Sequence, residues 1–438
     1  HNVKVLNINF FGTTLKCSKN NLDVSNCNFL YPSCYAHSLN KTNYDNDNTT
    51  FDNTTMVKSG SNCSFHKCVF QYTDGTALEM WGGSNTLEDC YFSYIDKTVT
   101  NLSSVMTSVR LNGSNNIVKN NTFYMTGASS TLNSGEQAVI EYNNLSQSGF
   151  LQSDGAMIHT MVSQQTNVKI RFNWCHDSIK YGIRFDGEGA GHTGYIHHNV
   201  VWNCEGGIMV KGGELSGGIT VGGHFVYNNT VFNSIEQGKN DIMILNTQGK
   251  DSNDVPIPIN FGSIVMNNLA ERISGERSNL VDLSVNMFES KNYSFHNVED
   301  LLVSYSERDF RPINVPDIIN KADTTTTDAL TYVSSLSTHN PDAALQFSPG
   351  TGVDKLTQDI GAMNFNSQVW KAGISWNTNS LTGLLLEQFI TTTRTNMYVV
   401  ITSTKKKNRF TYFNKHQRTS TLNKYYNKEL NKRVMVYQ

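Results

Sequence analysis

Short runs in which apolar and polar residues alternate recur along much of the chain. Two of them, GIRFDG (182–187) and GIMVKG (207–212), have the same shape and start 25 residues apart. Alternation with a period of two is typical of a strand with one buried face. Runs of the same kind are ALEMWG (77–82), SVRLNG (108–113), AMIHTMV (156–162) and DIMILN (241–246). A pattern that returns at this interval predicts a solenoid, in which each rung stacks on the one before it.

A second series of runs centres on Asn or Cys. Its members are SNCNF (25–29), HKCVF (66–70), EDCYF (88–92), KNNTF (119–123), YNNL (142–145), RFNWC (171–175), HHNVV (197–201), YNNTV (227–231) and MNNLA (266–270). Each rung is therefore predicted to hold at least two short strands. Stacked Asn side chains at a bend can bond to each other and to backbone groups that the bend leaves unpaired. Because Cys27, Cys68 and Cys90 share the same rung position, we interpret the set as a structural ladder.

These repeats resemble the right-handed parallel β-helix proteins of the pectate-lyase-like superfamily. The resemblance covers roughly residues 1–312, and DFRP (309–312) and DIGAM (359–363) resemble the ends of secreted bacterial members. It implies an all-β fold, a right-handed parallel β-helix (solenoid), and an extracellular, polysaccharide-lyase-like protein. The superfamily also includes epimerases, hydrolases, tailspikes and non-catalytic scaffolds, so the fold alone does not determine the activity.

Three regions are predicted from the way the pattern changes. Residues 1–312 form the β-helix, 313–365 an irregular closing segment, and 366–438 a basic C-terminal tail or small assembly extension. Excursions that interrupt the rungs are expected at 93–107, 124–137, 186–194 and 212–223. Such insertions tend to lie on one side of a solenoid and to build its binding face.

The charge of the chain is unevenly distributed. Residues 366–438 hold twelve Lys/Arg and two Glu, whereas the whole chain has a net charge of −2. The run KKKNRF (405–410) could therefore bind a polyanion or the acidic surface of a neighbouring copy, which predicts possible self-assembly through the tail. The alternative is a solvated extension. No nucleic-acid partner is predicted.

Composition favours a secreted protein that does not span a membrane. We find no apolar run of 18 residues, so no membrane span is predicted. The chain opens at His1 without a signal-like segment, which we interpret as a mature or trimmed product. Eight cysteines permit disulfides, although their connectivity does not follow from the sequence. Glycosylation is predicted in a polar loop at Asn40, Asn48 and Asn53. The same loop contains Asp45, Asp47 and Asp52, whose oxygens make Ca²⁺ a possible ligand without matching a known loop motif.

Alternation also predicts which side chains face outward on the GIRFDG series. The first outward row is Glu79, Arg110, His159, Arg184, Met209 and Met243, and the next is Trp81, Asn112, Met161, Asp186, Lys211 and Leu245. Stacking at about 4.8 Å per rung places these two rows side by side on one face, which we call the polar strip. Lys180 and Tyr181 precede the strand, and His192 ends the Gly-rich loop GEGAGH (187–192). Lys169, Arg171 and His197 are expected to point outward from neighbouring strands.

The residue types of the polar strip suit cleavage of an acidic polysaccharide by β-elimination. That reaction needs a cation beside the uronate carboxylate, a base for the C5 proton and an acid for the leaving oxygen. Similar Arg/Lys/His/Tyr sets are what the resemblance to β-helix lyases implies. Arg184 or Arg110 could be the cation, Lys211 or His159 the base, and Tyr181 or His192 the acid. Further substrate contacts are predicted for Asp186, Lys180 and Trp81, whose ring could stack on a sugar.

Other interpretations of these residues are also weighed. Arg184, Asp186 and Lys211 could simply be ion pairs across rungs. The chain would then be a non-catalytic β-helix glycoprotein, a structural subunit of an extracellular filament, coat or surface appendage. GEGAGH lacks the Lys and Ser of a phosphate-binding loop. Adjacent histidines on a strand face opposite ways, so His192, His197 and His198 predict no zinc site.

Overall fold

The computed structural model describes residues 3–13, 15–17, 19–31, 55–73, 75–96, 107–127, 129–149, 154–186, 193–212, 215–216, 219–220, 223–234, 240–335, 349, 352–377, 401–404, 407–410, 423–427 and 432–436. Its contacts divide the chain into two units, His1–Thr378 and Asn379–Gln438. This division falls later than the boundary at residue 366 that the sequence predicts.

The first unit is built from three parallel sheets, and each described rung contributes one strand to each sheet, except that the last contributes none to the third. The first sheet consists of β1 (Val3–Leu6), β4 (Leu22–Ser25), β7 (Ser64–His66), β10 (Thr86–Glu88), β13 (Ile117–Lys119), β16 (Val139–Glu141), β19 (Lys169–Arg171), β22 (Tyr195–His197), β27 (Phe225–Tyr227), β32 (Ile264–Met266) and β35 (Phe288–Ser290). The second sheet consists of β2 (Asn9–Phe11), β5 (Asn28–Leu30), β8 (Val69–Thr73), β11 (Tyr91–Ile95), β14 (Thr122–Thr126), β17 (Asn144–Ser146), β20 (Trp174–Ser178), β23 (Val200–Cys204), β28 (Thr230–Phe232), β33 (Leu269–Ala270) and β36 (Tyr293–Ser294).

The third sheet contains the GIRFDG series. Its strands are β3 (Leu15–Lys16), β6 (Thr55–Ser59), β9 (Thr76–Met80), β12 (Thr107–Leu111), β15 (Ser130–Ser134), β18 (Ala156–Met161), β21 (Tyr181–Asp186), β24 (Ile208–Val210), β29 (Ile242–Ile244) and β34 (Ile273–Ser274). Because every strand pairs in parallel with its counterpart one rung away, the predicted parallel β-helix is confirmed. The expectation that 124–137 is an excursion is wrong, since this segment contains the end of β14 and all of β15.

The predicted Asn ladder lies at the corner between the first and second sheets. The backbone N–H of Asn121, Asn143, Asn173 and Asn199 each donates to the Oδ1 of the ladder Asn one rung on, at 3.0–3.1 Å. Cys90 begins this series, because its own N–H donates to Asn121 Oδ1. Cys27 and Cys68 continue the row on the rungs before it, with Cys68 N–H donating to the Cys90 Sγ. The structural interpretation of this set is confirmed.

A left-handed residue makes the bend possible on each of these rungs. The residue just before the ladder position has φ between 49° and 58° from Asn26 to Asn267. Asn and Asp tolerate this conformation better than other non-Gly residues, which explains part of the Asn content of the chain. Inside the solenoid, Phe10, Phe29, Phe70, Phe92 and Phe123 stack with ring centroids 4.6–4.9 Å apart. The seven described cysteines are free thiols, so the described residues contain none of the disulfides that the sequence permits, and Cys34 lies outside the described residues.

Three antiparallel hairpins and one helix complete the first unit. The hairpins are β25 (Leu215–Ser216) with β26 (Ile219–Thr220), β30 (Thr247–Lys250) with β31 (Pro256–Pro258), and β37 (Leu302–Ser304) with β38 (Asp309–Pro312). Single 3₁₀ turns occupy Val162–Gln165, Val298–Leu301 and Gly352–Asp354, and the helix α1 spans Thr327–Ser335. Within the described residues, no helix is long and apolar enough to cross a membrane.

The end of the first unit returns along the solenoid as an extended strap, residues 352–377. Its backbone N–H groups bond to the corner between the first and second sheets, with Gly361 donating to Asn267 at 2.9 Å and Gly373 to Tyr142 at 2.7 Å. The Trp376 indole then donates to the Asp89 carbonyl at 2.8 Å. The strap therefore contacts several rungs of the solenoid.

The second unit contains a four-stranded antiparallel sheet. Its strands are β39 (Ile401–Thr404), β40 (Lys407–Phe410), β41 (Asn423–Asn427) and β42 (Lys432–Val436), in the order β40, β39, β42, β41.

Candidate functional site

The polar strip lies on the outer face of the third sheet, as the alternation predicts. Along this face Arg110 pairs with Glu79, His159 with Arg184, and Arg184 with Met209. Ile183 and Phe185, on either side of Arg184 in sequence, belong to the solenoid core, so Arg184 points away from it. Strand β15 adds a member that sequence reasoning missed: Asn133, whose Nδ2 donates to the His159 carbonyl at 2.8 Å. His159 therefore does not neighbour Arg110 directly.

Three side chains of the strip region contact one carboxylate, that of Asp186. Asp186 accepts from Arg184 Nη2 at 2.6 Å, from Lys211 Nζ at 3.3 Å and from His159 Nε2 at 3.3 Å. Arg184 also donates to Asp154 at 3.2 Å. We call His159, Arg184, Lys211, Asp154 and Asp186 the Asp186 cluster. The sequence brings His159, Arg184, Asp186 and Lys211 together because they lie on adjacent rungs at the outward positions of the period-two pattern. Asp154 precedes β18 and lies outside that pattern, so the sequence analysis missed it.

Burial differs widely within the Asp186 cluster. The His159 side chain is 2% exposed and that of Lys211 is 20% exposed, with Arg184 and Asp186 between them, whereas that of Asp154 is 73% exposed. The cluster therefore reaches the surface through Asp154 and, among its cations, mainly through Lys211. Its formal charges balance when His159 is neutral, because Arg184 and Lys211 oppose Asp154 and Asp186.

The electrostatics of the cluster favour an ionised Asp186 beside a neutral His159. Burial raises the pKa of Asp186, but the hydrogen bond from His159 and the charges of Arg184 and Lys211 outweigh it and hold this pKa well below its ordinary value. Burial lowers the pKa of His159 despite its contact with Asp186. A neutral ring that donates from Nε2 to Asp186 leaves Nδ1 to accept from the Ser130 hydroxyl at 2.8 Å. Both ring nitrogens of His159 therefore form hydrogen bonds within the protein.

Lys180 lies beneath the cluster and is buried. Its Nζ donates to the Asp154 carbonyl at 2.5 Å. Burial lowers the pKa of Lys180 to about 7, with the positive charge of Arg184 acting in the same direction and Asp154 and Glu205 opposing it. A lysine with this pKa is partly a neutral amine at neutral pH, unlike an ordinary surface lysine.

Tyr181 faces outward beside Arg184 but is enclosed by apolar side chains. The Arg184 guanidinium lies 5.9 Å from the centre of the Tyr181 ring. The ring packs in a cluster with Ala156, Met209, Met243, Leu245 and Ile259. The predicted outward positions of Met209 and Met243 are thus covered and not exposed.

The other end of the strip is more open. Arg110 Nη1 lies 3.9 Å from Glu79 Oε1, and its side chain is 23% exposed. Trp81 follows β9 and is 45% exposed. Along the third sheet, Arg110 lies four strands from the strand that precedes Lys211, and Trp81 lies five. A ligand that contacts both ends of the strip must therefore extend along the solenoid axis.

Several predicted residues fall outside the strip or outside the described residues. Lys169, Arg171 and His197 lie on the first sheet, where all three contact Asp354 of the strap. They are committed to a second ion cluster that the sequence did not suggest. His192, the glycosylation candidates Asn40, Asn48 and Asn53, and the candidate Ca²⁺ loop with Asp45, Asp47 and Asp52 lie outside the described residues.

One group of side chains on the first sheet has ligand atoms close enough to suit a metal ion. The ligand atoms of His66, Glu88 and Asp89 lie within 4.8 Å of one another. Both carboxylates already have protein partners, however. Glu88 pairs with Lys119 at 3.0 Å, and the Asp89 carboxylate accepts hydrogen bonds from the Ser375 backbone N–H and hydroxyl. The group therefore fits the attachment of the strap better than a metal.

Comparison with protein families identifies the architecture. The family model described as "Right handed beta helix region" matches residues 56–231. This part of the chain is a right-handed β-helix. The match agrees with the right-handed parallel β-helix that the repeats predict. A comparison with curated protein sequences finds no match.

Three solved structures resemble the chain at low identity. The pectate lyase Pel9A is 14% identical with a TM-score of 0.41, covering 83% of this chain and 87% of that one. The PL6 family alginate lyase AlyGC is 11% identical with a TM-score of 0.32, covering 65% of this chain and 44% of that one. A further PL6 alginate lyase, in complex with a trisaccharide, is 13% identical with a TM-score of 0.29, covering 72% and 76%.

Proposed function

We propose that the polar strip binds an acidic polysaccharide and that the Asp186 cluster and its neighbour Lys180 cleave it by β-elimination. The observation that carries this proposal is the convergence of Arg184, Lys211 and His159 on one carboxylate at an outward face of the sheet. Donors arranged around a carboxylate suit a uronate, which bears the same group. Lys211 is more exposed than Arg184, so it is the cation that would meet the polymer first.

The chemistry requires three events at one sugar ring. A cation neutralises the uronate carboxylate and makes the C5 proton more acidic. A base removes that proton, the electron pair forms a C4–C5 double bond, and the C4–oxygen bond breaks, after which an acid protonates the leaving oxygen. We assign the first role to Lys211, with Arg184 held in place by Asp154 and Asp186. Tyr181 and His192 remain the candidates for the acid.

Lys180 is the candidate base. An effective base has a pKa near the working pH, and the pKa of Lys180 is lowered to about 7. His159 suits this role less well, because both of its ring nitrogens are hydrogen-bonded and its side chain is buried. Lys180 is also buried, so it can act only if the bound polymer draws its Nζ away from the Asp154 carbonyl.

The direct test is digestion of alginate, pectate and glycosaminoglycans, followed by the ultraviolet absorbance of the unsaturated product. We expect Arg184→Ala and Lys211→Ala each to lower kcat/KM by about 100-fold, the effect of removing one group that stabilises transition-state charge. Lys321→Ala, a change to an exposed lysine of the closing segment, serves as the control and should leave the rate unchanged. The absence of unsaturated product from all three polymers would refute the proposal.

The base assignment has a separate readout. If Lys180 is the base, kcat should increase as the pH rises through about 7, where Lys180 loses its proton. Lys180→Arg should then remove most of kcat while changing KM little. An increase of kcat with pH that persists in Lys180→Arg would transfer the role to another group.

A non-catalytic role as a structural subunit is the second candidate. The observation that favours it is the charge balance of the Asp186 cluster, which can satisfy itself without a ligand. Under this alternative, Arg184→Ala would lower stability but would not change binding of any acidic polymer. Light scattering of the full chain would show whether it self-assembles.

A further inference from the structure

The two ends of the polar strip differ in a way that the proposed reaction does not require. Toward the start of the solenoid, the strip passes through Asn133 and Arg110 to the exposed Trp81. Toward the other end it stops at an apolar cluster of Met209, Met243, Leu245, Ile259 and Tyr181, which we call the methionine wall. A polymer lying along the strip would therefore meet open surface in one direction and packed side chains in the other.

The methionine wall covers positions that the sheet itself would leave open. Met209 and Met243 follow Arg184 in register on the next two strands, and their sequence neighbours Ile208, Val210, Ile242 and Ile244 belong to the core. The two methionines consequently point outward, yet both are completely buried. On an uncovered outer face they would be exposed, so another part of the chain must cover them.

That part is the segment following the hairpin of β30 and β31. The chain leaves the sheet after Leu245 and returns at Ile259, which is completely buried in the wall. The Ile259 N–H donates to the Asn246 carbonyl at 3.0 Å, and Asn260 Nδ2 donates to the Leu245 carbonyl at 2.9 Å. These bonds fix the returning segment against the ends of β24 and β29, so the wall is a built feature of the fold.

We propose that the methionine wall stops one end of the bound polymer, so that cleavage is exolytic and releases short products. This inference rests on the proposed function. Met209 and Met243 lie one and two strand spacings beyond Arg184, about 5 and 10 Å. One sugar unit in an extended polyuronate is close in length to one strand spacing. Because the wall begins at Met209, one unit fits between it and a reacting bond beside Arg184, and two fit when the reacting bond lies one strand earlier, beside His159. In the other direction, the four spacings from Arg184 to Glu79 offer about 19 Å of strip for the rest of the polymer.

The test follows product length over time with polygalacturonate and alginate as substrates. We expect unsaturated products of one or two sugar units from the earliest time point, and a slow fall in viscosity relative to the rise in ultraviolet absorbance. A ladder of intermediate lengths with an early fall in viscosity would overturn the inference while leaving the proposed function intact. The absence of unsaturated product would refute the proposed function and this inference together.

A variant tests whether the wall sets the product length. Ile259→Ala removes apolar volume from the wall, and we expect products to include three or more sugar units. Ile318→Ala is the matched control, because Ile318 is equally buried but lies in a separate apolar cluster with the closing segment. Equal product lengths in wild type and Ile259→Ala would overturn the role of the wall. If Ile259→Ala fails to fold, the product lengths of the wild type still decide between exolytic and random cleavage.

Discussion

The Asn ladder offers the sharpest test of how this solenoid is held together, and Asn199 lies in its middle. Asn199 Nδ2 donates to the carbonyls of Ile170 and His197 and to Asn229 Oδ1, at 2.8, 3.0 and 3.1 Å. Its Oδ1 accepts from the backbone N–H and the Nδ2 of Asn173, at 3.1 and 3.0 Å. One completely buried side chain thus connects three consecutive rungs.

Replacing Asn199 with Ala should be costly because it removes five hydrogen bonds at once. Each contributes about 1 kcal/mol net, and a buried donor or acceptor left unsatisfied costs about 1–3 kcal/mol. Some of these groups keep a second partner, so we expect a loss of about 3–5 kcal/mol in the free energy of unfolding. That is a large fraction of the roughly 5–15 kcal/mol by which domains are stable.

The measurement is denaturant unfolding of wild type and variant at neutral pH, with the midpoint as the readout and the slope m as a check that the folded state is unchanged. Asn115→Ala is the control. The Asn115 side chain is exposed, and its backbone is left-handed, with φ of 59°, whereas on the Asn199 rung the left-handed residue is His198. The control should cost only about 1 kcal/mol, the strain of placing Ala in that conformation. A loss in Asn199→Ala no greater than in the control would refute the view that the ladder stabilises the solenoid.

Three further predictions concern the ladder and the strap. Cys90→Asn should raise the free energy of unfolding by about 1 kcal/mol, since its Sγ already lies 3.3 and 3.6 Å from two carbonyls that an amide would bond better; a lower denaturation midpoint would contradict this. Asp354→Asn should cost about 2 kcal/mol at pH 7, because Lys169 and Arg171 lose their shared carboxylate. Burial raises the pKa of Asp354, but hydrogen bonds from His197 and Lys169 outweigh it and hold this pKa below its usual range. The difference in stability between wild type and Asp354→Asn should therefore narrow only as the pH falls below about 4, and unfolding measured at several pH values tests this. Burial lowers the pKa of His197 from 6.5 to about 4, so on acidification the unfolded protein takes up this proton before the folded protein does. The free energy of unfolding should therefore fall by roughly 3 kcal/mol between pH 6.5 and 4. His197→Gln should remove this pH dependence, and a profile of stability against pH that is the same in variant and wild type would contradict the role of His197.

The sequence was sufficient to predict the solenoid, the Asn ladder and most of the polar strip, because all three follow from a period of two within each strand and a recurring rung; Asn133 and Asp154 were missed. It was insufficient for the number of strands in each rung. Strands of the first sheet, such as Thr86–Glu88 and Val139–Glu141, have three residues and one inward side chain each, too few to show alternation. Strand β15 was missed because Ser130–Ser134 contains a single large apolar residue, Leu132.

The contacts of the strap could not have been predicted from periodicity. Lys169 and Arg171 were recognised as outward cations on a neighbouring sheet, but their partner Asp354 lies 185 and 183 positions later, in a segment with no repeat. Nothing in the spacing of the strap residues indicates the rung against which each one packs. The sequence does contain one signal, because Lys169 and Arg171 occupy alternate positions of one strand. Two neighbouring cations indicate that a carboxylate lies nearby, but they do not indicate which segment of the chain supplies it.

The two ion clusters of the solenoid contain the same residue types, yet they differ in what they hold together. Asp354 belongs to the strap, so its pairs with Lys169 and Arg171 attach a segment that the parallel sheets would not otherwise hold. Asp186 lies on the same sheet as Arg184 and next to Lys211, where backbone pairing already fixes the strands. Taking charges out of water is costly, and a buried ion pair is often no more stabilising than apolar residues of the same volume. Backbone pairing holds these strands together without the Asp186 cluster, so the energetic cost of keeping its charges together is what we expect if the cluster serves the ligand that we propose.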